Sequence, residues 1–111
     1  MRPPPIPAEI ERLLDDSAVA DTNVEWEVPP RPSVNDFPPR ALRDKQSGEV
    51  EIACIAPADG RFRFCKALGE TPEGYDFAKH AVAIAYRGRL KPVDNPQNVR
   101  IVRFIIKLTL R

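Results

Sequence analysis

Two cysteines, Cys54 and Cys65, flank the pair Asp59-Gly60 at equal distances, five positions away in each direction. Asp-Gly between apolar stretches is a strong hairpin signal, because Gly accepts the positive φ that a tight turn needs. Upstream, Val50, Ile52, Cys54 and Ala56 alternate with Glu49, Glu51 and Ala53, the period of two that marks a strand over Glu49–Ala56. The returning strand is Arg61 to Leu68. A two-residue turn makes Cys54 and Cys65 direct cross-strand neighbours, roughly 5.5 Å apart between Cα atoms for a hydrogen-bonded pair, a gap a disulfide spans. Closing so short a loop contributes about 2–3 kcal/mol and points to an oxidising compartment. A three-residue turn would shift the register by one. Two buried, reduced thiols are the alternative.

Around this hairpin the chain divides into a leader and a domain. Of 13 prolines, nine lie in the first 39 residues, and all five glycines follow them. Pro3, Pro4 and Pro5 read as linker, and Pro7 as the first position of a short helix through Leu14, with Ile10, Leu13 and Leu14 on one stripe. Two turns cannot persist alone in water, so this helix docks or frays. Val28 to Pro39 reads as extended chain, with Trp26 fixing it to the domain. A second short helix is expected from Pro39 to Lys45. Residues 1–37 carry three basic against eight acidic residues, and residues 38–111 carry fourteen against eight. The opposite signs allow the leader to lie on the domain. We therefore divide the chain into residues 1–25, a Pro-rich acidic leader, and residues 26–111, the domain.

The remaining elements follow from turn chemistry. Gly69 to Tyr75 is a loop with Thr-Pro and Glu-Gly pairs. Asp76 is the expected N-cap of a helix from Phe77 to about Arg87, and Gly88 its terminator. Phe77, Ala81, Ile84 and Ala85 share one face of that helix. Lys91 to Asn98 is a second loop, leading into a long β-branched and aromatic strand from Val99 to Leu110. The expected fold is α+β: a small antiparallel three-stranded sheet with one packed helix, in the order short helix-β-β-α-β, behind a Pro-rich leader.

Several functions are excluded on composition or spacing. The longest apolar run, Ala81 to Tyr86, has six residues, far short of the ~18 of a membrane span. Basic residues are scattered, so no nucleic-acid partner is expected. Cys54, Cys65 and His80, the sole histidine, lack a fourth ligand and a zinc spacing. His80 reads as a surface residue. No phosphate loop, nucleophile elbow or zinc-protease motif occurs, so neither a catalytic residue nor a cofactor is expected. Glu70, Glu73 and Asp76 are accounted for by capping and turns.

From about Trp26 to Leu110 the chain resembles the C-terminal domain of TonB, the energy transducer of Gram-negative bacteria. The landmarks are Phe37-Pro38-x-Arg40-Ala41, similar to that family's Tyr-Pro-x-Arg-Ala, then Gly48-Glu49-Val50 and Ala58-Asp59-Gly60-Arg61. Cys65, Glu70-Thr71-Pro72-Glu73-Gly74, Phe77-Ala78, Arg89-Leu90-Lys91-Pro92 and a terminal strand running to Leu108 follow in order. The two cysteines and the Glu-x-Pro-x-Gly loop are most similar to a branch with a Cys on each hairpin strand. Phe37 departs from the pattern, replacing Tyr and removing its hydroxyl.

The resemblance implies a periplasmic domain that captures a short extended segment, the TonB box, of an outer-membrane TonB-dependent transporter. That segment would add beside the last strand, for energy-coupled uptake. It also implies a membrane anchor upstream of the residues present here; without one the chain would be a stand-alone domain. The partner-binding residues implied are Phe37, Pro38 and Arg40 at the border and Val99, Arg100, Ile101, Arg103, Ile105 and Lys107 on the last strand. An edge strand presents unpaired backbone groups, and its cations would suit an acidic or polar peptide. The competing expectation is a homodimeric interaction module without energy transduction. Phe62 and Phe64, both opposite Cys65 in the simple register, leave apolar surface for a second copy.

Overall fold

A computed structural model describes residues 4–110. Its elements, in chain order, are α1 (Ala8–Asp15), β1 (Trp26–Val28), a 3₁₀ turn (Val34–Asp36), α2 (Pro39–Arg43), β2 (Gly48–Pro57), β3 (Phe64–Thr71), α3 (Phe77–Ala85), β4 (Arg89–Leu90) and β5 (Val99–Leu108). Pro3, read from sequence as linker, lies outside the described residues. Among the described residues, no helix is long and apolar enough to cross a membrane.

The central strand is β2, and its burial explains why. Its first residues alternate between exposed Glu49 and Glu51 and buried Val50, but Ile52 through Ala56 are all buried. Such a run fits only a strand covered on both faces. β2 pairs antiparallel with β3 on one side and β5 on the other, giving the order β3-β2-β5. The α+β class is therefore found, with the three-stranded antiparallel sheet and a helix, α3, packed on it.

On one face, Val50, Ile52, Cys54, Ala56, Cys65, Val102 and Ile106 meet Phe77, Ala81, Ile84 and Ala85 of α3. Trp26 closes this layer, edge-on to Phe104 at 4.9 Å and to Phe62 at 5.9 Å. It does so from a second, two-stranded sheet of β1 and β4. On the other face, Ala53 and Ile55 join Leu14 of α1 in a smaller cluster, with Ile6, Ile10, Phe64, Leu68 and Ile101 packed around it. The stretch read as a leader thus supplies the cover of the second face.

Cys54 and Cys65 are cross-strand partners and form a disulfide. Their Cα atoms are 4.1 Å apart, closer than expected from sequence. The reason is in the ladder: the Cys65 N–H points away from β2 and donates to the Tyr86 hydroxyl at 2.8 Å. The pair is therefore of the narrow, non-hydrogen-bonded kind.

The loop between the strands is wider than a two-residue turn. Gly60, at φ 83°, donates its N–H to the Pro57 carbonyl at 3.0 Å, and Arg61 leaves the ladder to bridge Arg89. Consequently β3 starts at Phe64, not Arg61. Phe62, expected opposite Cys65, instead turns onto the α3 face and stacks on Phe104, while Phe64 does face the other way. The bend frees Phe62 from strand alternation, and the aromatic cluster with Trp26 takes it up.

Helix ends also differ in detail. Asp76 precedes α3 at φ 66° and makes no side-chain cap; Glu70 accepts the Ala78 N–H at 3.1 Å instead. α3 ends at Ala85, before the expected Arg87. Gly88 serves not as a left-handed terminator but as a point of close approach: a Cβ there would lie 2.9 Å from the Trp26 ring and from Pro30.

Candidate functional site

The ladder parity that narrows the cysteine pair also sets which groups of β5 face outward. Val102 and the other even-numbered residues of β5 turn their backbone groups toward β2; Ile101, Arg103, Ile105 and Lys107 turn theirs to the edge. This edge has two halves. At one, Asp21 bridges parallel to Val102. Its N–H donates to the Ile101 carbonyl at 2.8 Å, and its carbonyl accepts the Arg103 N–H at 3.0 Å. At the other, the N–H and C=O of Ile105 and Lys107 have no hydrogen-bond partner among the described residues.

Asn23 decides where the covered half stops. A parallel strand continuing from Asp21 would donate the Asn23 N–H to the Arg103 carbonyl. That N–H goes instead to the Asp21 carboxylate at 2.9 Å, a local turn in which an Asx side chain competes with the ladder. The chain peels away and leaves a groove of about 610 Å³ lined by Asn23, Val24, Trp26, Phe104, Ile105 and Lys107, among others. A second groove of about 550 Å³, lined by Val34, Phe37, Lys107 and Leu110 among others, begins on the far side of Lys107. Ile105 and Lys107 both line the first groove, and Lys107 lines the second as well.

The residues expected at the site are distributed unevenly about it. Ile105, 54% exposed, and Lys107, exposed, lie on the open half. Phe37 is in the core and also lines the second groove; Pro38 beside it is fully buried. Arg40 sits away from β5, stacked over Tyr75 at 5.3 Å and donating to the Gly74 carbonyl. Val99 is at the far end of β5, opposite Pro57. Arg100 donates to the carbonyls of Lys91 at 2.9 Å and Pro57 at 3.2 Å. Ile101 lies under α1. Arg103 donates to the carbonyls of Asp15 at 2.9 Å and Leu14 at 3.4 Å, and stands 4.0 Å from Glu51.

Of the three strand cations, therefore, only Lys107 is unengaged among the described residues, and it stands opposite Glu49 on β2. The rim is of mixed charge. Sequence reasoning missed Asp21, Asn23 and Val24 at this edge, because the leader reads as tether; Asp21-x-Asn23 is the local turn signal that was there to find. No group of three or more His, Cys, Asp or Glu among the described residues is placed to hold a metal ion.

Two polar ties hold α1 and the 3₁₀ turn in place. Lys66 on β3 binds Asp15 at 2.8 Å and Glu11 at 3.0 Å, and these carboxylates, Asp15 foremost, hold its ammonium above the usual lysine range. Asp36 pairs with Arg87 through a two-pronged contact. That guanidinium, with help from Ser33, keeps the Asp36 carboxyl below its ordinary value and raises Arg87 in turn. His80, half-buried, places Nδ1 at 2.9 Å from the Asp36 carbonyl, so it belongs to this tie more than to the surface. Burial pushes the Tyr86 phenol upward, against the opposing effect of the Cys65 N–H.

No family model matches the chain, and no curated protein matches it.

Proposed function

We propose that this chain is a TonB-like interaction domain that captures an extended peptide by strand addition along the open half of β5. The peptide would be the TonB box of an outer-membrane transporter, and the setting the periplasm. The observation that carries this reading is the run of unpaired backbone groups at Ile105 and Lys107 beside a groove that both residues line. Together with the Arg103 carbonyl they offer about five backbone hydrogen bonds, at roughly 0.5–1.5 kcal/mol each. Less the cost of ordering the peptide, that is a modest and reversible grip. The strand and helix order agrees with the resemblance, and the Cys54–Cys65 disulfide suits an oxidising compartment.

A variant separates strand addition from other modes of binding. Ile105→Pro removes one outward N–H and no bond to β2, and Pro is tolerated on edge strands. Titrated calorimetrically with synthetic TonB-box peptides, this variant should lose at least about tenfold in affinity, the worth of roughly 1.4 kcal/mol. Unchanged affinity in a folded variant contradicts the reading. The exposed Ile105 on an open edge favours one second reading, a homodimer through β5 itself. Sedimentation showing a dimer indifferent to added peptide would select it.

A further inference from the structure

The covered half of the β5 edge is held in an unusual way. A single parallel bridge contributes two backbone hydrogen bonds, too few to fix a flexible segment by themselves. Asp21 is fixed from both sides in sequence: downstream by Val24 and Trp26, packed on the main core, and upstream by α1, six residues away. α1 places Leu14, fully buried, against Ala53 and Ile55, with Ile6 and Ile10 half-buried beside it. Its acidic residues Glu11 and Asp15 grip Lys66. Its terminal carbonyls, at Leu14 and Asp15, receive the Arg103 guanidinium. So docked, α1 makes the Asp21 bridge an intramolecular event, with the effective concentration of a short tether.

Arg103 joins the two contacts. Its backbone N–H holds Asp21 and its side chain holds the end of α1. Any incoming strand that pairs with β5 as far as Ile101 takes the Arg103 N–H and must expel Asp21. With that bridge gone, α1 keeps a small apolar contact, the Lys66 clamp and the Arg103 guanidinium on its last carbonyls.

We propose that residues 16–24 are a detachable strap, filling the Ile101–Arg103 half of the β5 edge in the resting protein and yielding it to a longer extended segment. The strap limits a partner to the Ile105–Lys107 half unless α1 is released. This rests on the reading of β5 as a strand-addition edge, and adds a built-in competitor to it.

The test uses the full chain and needs no identified ligand. Glu11→Ala combined with Asp15→Ala removes the clamp on Lys66 without opening the core, and Leu14→Ala loosens the apolar contact as a second, independent route. The probe is a synthetic Thr-rich extended peptide, long enough to pair with β5 from Lys107 to Ile101. In the wild-type chain the strap should confine it to Ile105 and Lys107, leaving the Ile101 and Arg103 signals unmoved. In either variant the Arg103 amide should exchange at least about tenfold faster while Val102 stays protected, and the peptide should bind at least about tenfold tighter than to wild type, shifting the Ile101 and Arg103 signals.

If the Arg103 amide stays as protected as Val102 in both variants, the strap is a fixed part of the fold and the proposal falls. Faster exchange without peptide-induced shifts at Ile101 and Arg103 shows a loose leader with no competing edge, and also overturns it. Either failure leaves TonB-box binding at Ile105–Lys107 to be judged separately by the Ile105→Pro titration.

Discussion

The two layers that cover the sheet are built on different principles. α3 is bound into its face by continuous apolar burial, with Phe77, Ala81, Ile84 and Ala85 all inaccessible. The cross-strand disulfide lies under it, and Tyr86 just past its end receives the Cys65 N–H. α1 covers the opposite face with one fully buried side chain, Leu14, and is otherwise held at its rim by Lys66 and Arg103. The first layer makes the domain fold. On the strap proposal, the second decides how much of the β5 edge a partner can reach, so that accessibility changes without the first layer.

Mutations should separate the layers sharply. Phe77→Ala, in the α3 layer, should cost about 3–5 kcal/mol in chemical unfolding, because it empties a large site in a close-packed core. Removing the disulfide as Cys54→Ala with Cys65→Ala should cost about 2–3 kcal/mol, with the sheet retained. Leu14→Ala should cost about 1–2 kcal/mol at most. Its cost is limited by the docking energy of an eight-residue helix that is not stable alone. The expected signature is loss of helical signal and amide protection in α1, with the unfolding midpoint shifted far less than by Phe77→Ala. Equal shifts for Leu14 and Phe77 would erase the distinction between the layers.

The smallest effect concerns the tie between the 3₁₀ turn and the end of α3. The Arg87 guanidinium depresses the Asp36 carboxyl below its ordinary value of 3.8. The stability this supplies is complete above the unfolded-state value and disappears as pH falls through the depressed folded-state value. Arg87→Ala should therefore flatten part of the acid limb of the stability profile while leaving neutral-to-basic behaviour to the Lys66 clamp. The clamp has the opposite sign. Lys66 is raised, so its contribution is present below the ordinary lysine range and lost only as pH climbs through the raised value.

Much of the α3 layer is legible in the sequence because its signals are local or periodic. The alternation over Val50–Ala56 marks the central strand, Asp59-Gly60 places the cysteines opposite one another, and the Phe77–Ala85 stripe marks the helix. What failed there depended on distant partners. Glu70, not Asp76, caps α3, and Phe62 is claimed by Trp26 and Phe104. The α1 layer is less legible. Its helix is marked by Pro7 and the acids, but Leu13, read as part of the inward stripe, is 40% exposed, since Ile6, Ile10 and Leu14 form the line that meets the sheet. A lone parallel bridge at Asp21 has no period to betray it. For the same reason the sequence predicts an edge at β5 but not its division into halves.

That division can be read directly by amide hydrogen exchange along β5 in the native protein, with and without a TonB-box peptide. Without peptide, Val102, Phe104 and Ile106 should be protected by β2 and Arg103 by Asp21, while Ile105 and Lys107 exchange freely. Saturating peptide should slow Ile105 and Lys107 to the level of their neighbours. Uniform protection across the edge before peptide is added, or free exchange at Ile105 and Lys107 with peptide bound, would contradict strand addition at this edge.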